Sequence, residues 1–274
     1  MTTLAPSHFE QIAEIAMGRW GLNLTDRKMQ LVSNRLAKFL YKSRFNDVQE
    51  YLEHLEAEAD EEDMLVFFDV LSTNVTSFFR ERKHFDYLQR EFYTPLAQGN
   101  LTTPGRRIRI WSAACSTGPE PYSLAIHAID HLPDLDTWDF KILATDLSNS
   151  AIQDARRAVY PFKMVEDLDR GLLKRHFLRG RGKQAEMVRV APHVRCLVTV
   201  GRLNLMDSWP IRGPFDVIFC RNVMIYFDKP TRQRLVVRLY DLLRGGGLLA
   251  IGSAETLSGL DSQFRTVEPS VYVK

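Results

Sequence analysis

From residue 7 to about residue 90, apolar positions recur at intervals of three and four, the spacing of one helix face after another. Ser7 and Glu10 stand at capping-box spacing beside Phe9, Ile12, Ala13 and Ala16, and Gly18 and Gly21 close that segment. Thr25 is placed to cap a second helix carrying Leu31, Val32, Leu36, Phe39 and Leu40. Asp47 and Glu50 repeat the capping box ahead of Tyr51, Leu52 and Leu55, and a fourth segment from about Glu61 aligns Leu65, Phe68 and Leu71. No strand pattern precedes residue 107. The prediction for residues 1–90 is an all-α N-terminal domain with a linker helix.

Beyond residue 107 the pattern changes. Short apolar runs at 108–111, 141–145, 196–200, 216–220 and 248–252 alternate with helical stretches at 120–131, 148–159 and 231–243. Apolar strands joined by crossover helices bury both faces of a mostly parallel sheet, so residues 91–274 are predicted to form a Rossmann-like α/β domain. Segments 264–267 and 271–274 predict an antiparallel hairpin at the sheet edge. At about 172–195 the alternation breaks. Gly180 and Gly182 there precede an alternating stretch at 186–190, which predicts a small antiparallel β insertion with 186–190 as an edge strand.

Composition narrows the function classes. Of 274 residues, 45% are hydrophobic and 26% charged, enough apolar material for a core and too much for a disordered chain. Lys and Arg number 36 against 34 Asp and Glu, so no overall field drives nucleic-acid binding. No apolar run approaches the roughly 18 residues of a membrane span. The start MTTLAPSHFEQ lacks the basic and apolar regions of a secretion signal. Cys115, Cys196 and Cys220 are widely spaced and read as reduced thiols, so the expectation is a cytoplasmic protein without membrane insertion.

After the first strand the chain runs through small residues, Ser112 to Gly118, into a helix beginning near Glu120. Such a turn lets backbone approach a ligand closely, although a plain strand-to-helix turn explains it equally well, and the glycine fingerprint of dinucleotide sites is missing. Asp146 ends the second strand, where ribose hydroxyls are held in doubly wound sheets; helix capping at Ser148 is the competing role. Glu120 and Asp146 without a phosphate cradle suit a nucleoside cofactor with a positive centre, as in S-adenosylmethionine. A nicotinamide dehydrogenase and a nucleotide-sensing binding module remain open on these residues. His127 and His131 have zinc-helix spacing, but the glutamate of that motif and a third ligand are missing, so no metal is expected. Neither an acyl-hydrolase nor a P-loop motif occurs.

Four stretches, TSFFRE at 76–81, SAACSTGPEPYSLA at 112–125, ATDLS at 144–148 and FDVIFCRNVMIYFDK at 215–229, together resemble the chemotaxis receptor methyltransferase (CheR) family. The resemblance runs from about residue 7 to 274. It implies a class I methyltransferase domain behind an all-α domain. The implied reaction moves a methyl group from S-adenosylmethionine to glutamate side chains on the cytoplasmic helices of methyl-accepting chemoreceptors, leaving S-adenosylhomocysteine. The cofactor contacts it implies are Asn74, Thr76, Arg80, Glu120, Asp146, Asn204, Leu205, Arg221 and Asn222, with Arg80 and Tyr226 nearest the transferred methyl as catalytic residues. Pro119 stands where members often carry a second acid.

Two basic patches fit such a partner. Arg27, Lys28, Arg35, Lys38, Lys42 and Arg44 occupy a stretch without acids and suit an acidic receptor helix. Arg179 and Arg181 lie on the predicted insertion, which in the family can add a receptor's C-terminal tail peptide as an extra strand. A glutamate acceptor, with a reference pKa of about 4.3, is already a nucleophile at neutral pH and needs no general base.

Overall fold

The computed structural model describes residues 4–101 and 103–274. Four helices, α1 (Pro6–Trp20), α2 (Met29–Leu40), α3 (Val48–Ala57) and α4 (Glu61–Leu71), close around Ile12, Leu36, Leu52 and Phe67. Asp47 caps α3 by accepting from the Glu50 N–H, and Asp60 does the same for α4. Two expected caps are not used. Helix α1 begins at Pro6, whose missing N–H costs nothing in a first turn, so Ser7 lies inside the helix. Thr25 makes no side-chain cap because a 3-10 turn, Asp26–Lys28, precedes α2. Leu31 points outward, 44% exposed.

The linker helix consists of α5 (Lys83–Leu88), a π turn (Gln89–Tyr93) and α6 (Thr94–Ala97). Its Phe85, Leu88, Phe92 and Tyr93 pack with Ile108, Ile110 and Phe140 of the sheet. The expected boundary at residue 90 therefore falls inside one packed unit, since the apolar face of this helix is buried by the α/β layer and not by the bundle.

The remainder is β1 (Arg107–Ala113), α7 (Pro119–His131), β2 (Asp139–Asp146), α8 (Asn149–Arg157), β3 (Val159–Pro161), α9 (Arg170–His176), β4 (Phe177–Arg179), β5 (Met187–Val190), α10 (Pro192–Arg195), β6 (Val198–Arg202), β7 (Phe215–Cys220), α11 (Lys229–Leu242), β8 (Leu243–Ile251), β9 (Arg265–Glu268) and β10 (Val271–Val273). The main sheet has the order β6-β2-β1-β7-β8-β10-β9. Strands β6 to β8 are parallel, and the β9–β10 hairpin closes one edge antiparallel, as the sequence predicts. Strand β1 is fully buried at its apolar positions, with helices covering both faces. The chain moves from β1 outward to β2 and β6, then returns to β7 and β8. That reversal puts a crevice at the carboxyl ends of β1 and β7.

The small sheet has the order β3-β5-β4, which corrects two expectations. Strand β5 is central, paired on both sides, so 186–190 is not an edge. The insertion also starts before residue 172, because α8 stops at a left-handed Ala158 and the chain enters β3 at Val159. Several contacts tie the helical unit to this domain. Leu22 bridges Phe227, Arg202 pairs with Glu61 at 2.7 Å, and Asp69 accepts from the Ser150 N–H at 3.2 Å.

Candidate active site

The crevice opens into a cavity of about 250 Å³ between the helical unit and the carboxyl ends of β1, β2 and β7. Its floor is the turn after β1, where Ala114, Ser116 and Gly118 all hold left-handed backbone, with φ of 62°, 51° and 100°. Only glycine fits at 118, because a Cβ there would stand 2.8 Å from Tyr160 Oη and 3.0 Å from Ala155 Cα. This curl aims the Ser116 N–H at the next strand.

Asp146 receives it. One carboxylate oxygen accepts from Ser116 N–H at 2.8 Å and the other from Ser148 N–H at 2.9 Å, while the Ser148 hydroxyl caps α8. Asp146 thus joins the first two loops and still has lone pairs for a ligand. Burial pushes its carboxyl above the usual range, against the hydrogen bonds from Ser148, Ser116 and Leu147. The Ser116 hydroxyl, which also lines the cavity, is buried with no hydrogen-bond partner among the described residues, and a polar ligand would supply one.

Glu120 lies across the floor, accepting from the Ser112 hydroxyl at 2.7 Å and from Arg221 Nη1 at 3.0 Å. Burial pushes it up and Arg221 acts against the rise. Arg221 ends β7 almost wholly buried. Besides Glu120 it reaches Glu81 at 3.2 Å and the Arg80 carbonyl at 2.5 Å. Asn222, at φ 58°, donates from its backbone to Glu255 at 2.9 Å and from its side chain to Glu81 at 3.2 Å. Glu255 also takes the N–H groups of Gly252 and Ile225, which fixes the loop carrying Tyr226.

The structure brings Asn74, Thr76, Arg80, Glu120, Asp146, Asn204, Leu205, Arg221, Asn222 and Tyr226 around this one cavity. Arg80 Nη1 is tied to the Val75 carbonyl at 2.8 Å. Asn204 turns its amide oxygen to the Met206 N–H at 3.0 Å and its amide nitrogen to the Arg19 carbonyl at 3.3 Å. Sequence reasoning did not single out Glu81 as a site residue, and it passed over Glu255 and Ser116. Glu81 sits within a quoted motif, but its partners are far along the chain. Glu255 has no local signal at all.

The partner-facing residues divide. Arg27, Lys38 and Lys42 are exposed, as is Arg181. Lys28 belongs to the cavity, its ammonium 4.9 Å from the Tyr226 ring centroid. Arg35 is not free for a partner: it donates to the Leu71 and Ser72 carbonyls, at 2.7 and 2.5 Å, and so caps α4. Arg179 is engaged too. It stacks 3.7 Å over Phe162 and donates to the Ala185 carbonyl at 2.9 Å.

A reversing parallel sheet with an antiparallel edge hairpin, one acid in the first turn of α7 and another at the end of β2, with no glycine-rich phosphate cradle between them, is the arrangement of an S-adenosylmethionine-dependent methyltransferase. Residues 7–71 match the family described as CheR methyltransferase, all-alpha domain, and residues 74–273 match CheR methyltransferase, SAM binding domain. Chemotaxis protein methyltransferase 2 of Pseudomonas aeruginosa is 42% identical over 265 residues, covering 96% of this chain and 91% of that one. The chemotaxis protein methyltransferase of Salmonella typhimurium is 36% identical over 270 residues, covering 98% and 90%. The chain belongs to the CheR family of chemotaxis methyltransferases.

Proposed function

We propose that this protein works in the cytoplasm and esterifies glutamate side chains of chemoreceptor helices at the cavity over β1, β2 and β7. What carries this assignment is the distribution of charge. The acids Glu120 and Asp146 line the cavity together with the bases Lys28 and Arg80, and the Lys28 ammonium stands 4.9 Å from the Tyr226 ring centroid. Among the described residues no helix is long and apolar enough to cross a membrane.

S-adenosylmethionine supplies a methyl group activated by its sulfonium. Asp146 and the Ser116 hydroxyl would hold its ribose, and Glu120 its ammonium. The acceptor glutamate arrives ionised, so the protein's task is alignment and the removal of water, not proton abstraction. Arg80, anchored through Val75, orients one carboxylate oxygen, and Tyr226 bounds the approach. Leu31 and Val75, 44% and 71% exposed, offer apolar contact where the receptor helix would enter. Titration with S-adenosylhomocysteine and with NAD tests the cofactor side: micromolar binding of the first and none of the second is expected, and the reverse would reject it.

On the partner side, the exposed Arg27, Lys38 and Lys42 would steer acidic receptor helices toward this opening. Reversing Lys38 and Lys42 to Glu should raise the receptor KM about tenfold and flatten its salt dependence. Affinity for S-adenosylhomocysteine should stay unchanged. An unaltered KM would reduce the patch to a solvated face.

A receptor's C-terminal tail would add to β4, which among the described residues pairs with β5 alone and exposes Leu178 by 53%. Arg181, exposed at the following turn, suits an acidic peptide, whereas Arg179 already serves Phe162 and Ala185. Acidic tail peptides containing Trp or Phe should bind the wild type, and Arg181→Ala should weaken them several-fold. Absence of binding would confine β4 to a structural role.

A further inference from the structure

One cation serves two anions beneath the cavity. The Arg221 guanidinium, 1% exposed, lies 3.0 Å from Glu120 and 3.2 Å from Glu81. Glu81 is built in with care. Its own backbone and that of Phe79 are left-handed, at φ 56° and 51°, a conformation that non-glycine residues keep only where the surroundings impose it. Its carboxylate accepts from the Asn222 side chain at 3.2 Å and from the Ser253 N–H at 3.0 Å. Burial opposes the charge, but Arg221 and these donors outweigh it and hold the carboxyl at about 2, so Glu81 is ionised at neutral pH. His84 also faces it, with Nδ1 at 3.6 Å; burial and Arg221 hold that imidazole at about 4, hence neutral. The positive charge of Arg221 is thereby matched by Glu81, and Glu120 keeps an excess negative charge on the cavity floor.

We propose that Glu81 is a specificity-determining residue that makes the cavity favour the sulfonium cofactor over its spent product, by occupying Arg221 and leaving Glu120 unneutralised. This rests on the assignment of the cavity to S-adenosylmethionine. That ligand and S-adenosylhomocysteine share adenine, ribose, ammonium and carboxylate. They differ by one methyl group and the positive charge it creates. With an uncharged residue at 81, Arg221 passes wholly to Glu120 and the excess disappears; both ligands then lose attraction at their shared ammonium, and the sulfonium ligand alone loses a second attraction. At an effective dielectric of about 20, one charge about 12 Å from the sulfonium is worth about tenfold in affinity. A merely structural Glu81 would weaken both ligands alike.

Calorimetric titration of the full chain with each ligand tests this in the wild type, Glu81→Gln and Glu81→Asp. The ratio of the S-adenosylmethionine Kd to the S-adenosylhomocysteine Kd should rise about tenfold in Glu81→Gln and keep its wild-type value in Glu81→Asp, even where both affinities fall. Equal weakening of both ligands by Glu81→Gln, or a shifted ratio in Glu81→Asp, overturns the proposal. Should Glu81→Gln not fold, Glu120→Gln takes its place: it removes the same excess charge and should raise the ratio about tenfold, and an unchanged ratio there overturns the proposal. A wild type that binds neither ligand would instead reject the cofactor assignment, a separate outcome that removes the basis of this one.

Discussion

Arg221→Ala is expected to cost about 3–5 kcal/mol of folding stability, the effect of deleting one partner from a buried ion cluster. The guanidinium is 1% exposed and is paired to Glu81 and Glu120; without it two buried carboxylates face each other with no counter-charge. It also donates to the Arg80 carbonyl, so the linker between the two domains loosens in the same step. The pH dependence follows from Glu81. Its folded pKa of about 2 lies below the ordinary 4.5, so its contribution is complete above about pH 4.5 and is lost as the pH falls toward 2. The variant keeps the Asn222 and Ser253 hydrogen bonds to Glu81 but lacks the share that Arg221 supplies at every pH. The gap between wild type and variant, measured by denaturant titration, should therefore be widest near neutrality and narrow below about pH 4.5. A gap that widens in acid, or a loss under 1 kcal/mol at neutral pH, would show that the cluster is not held by Arg221.

Asp146→Ala is expected to weaken S-adenosylmethionine by about 1.5–3 kcal/mol, the range for hydrogen bonds to a charged group. It should also lower the melting temperature without ligand. The carboxylate accepts from Ser116 and Ser148 N–H groups, and both donors lose a partner when it is removed. Asp146→Asn separates the roles, because an amide oxygen can keep one of those bonds. Stability should partly recover in Asp146→Asn while cofactor affinity stays low. Full recovery of affinity would mean that Asp146 only joins the two loops.

The alternation of apolar runs and helical faces was enough to read the layers, because each strand and helix carries its own burial period. Asp146 was legible for the same reason: it ends a strand, and strand ends are where an open α/β sheet binds ligands. Relations across the chain were not. Glu120 and Arg221 are 101 positions apart, and no local pattern links them or adds Glu81 to the pair. The order β3-β5-β4 escaped because alternation marks a strand but not its neighbours. Phe85 and Tyr93 fit a bundle core as well as a sheet, so periodicity alone does not say which layer the linker helix packs on. For Arg35 and Arg179 a basic neighbourhood marks charge but not what the charge meets. Both heads found backbone carbonyls within the chain.

The central claim is that the cavity delivers a methyl group to a receptor carboxylate. Incubating the protein with methyl-labelled S-adenosylmethionine and receptor-containing membranes tests it most directly, followed by mild alkali treatment of the labelled receptor. A carboxyl ester releases its label as methanol under those conditions, and this account predicts that release, with Arg80→Ala greatly slowing the labelling. Label that survives alkali, as on methylated lysine or arginine, or a receptor that takes up none, would contradict it.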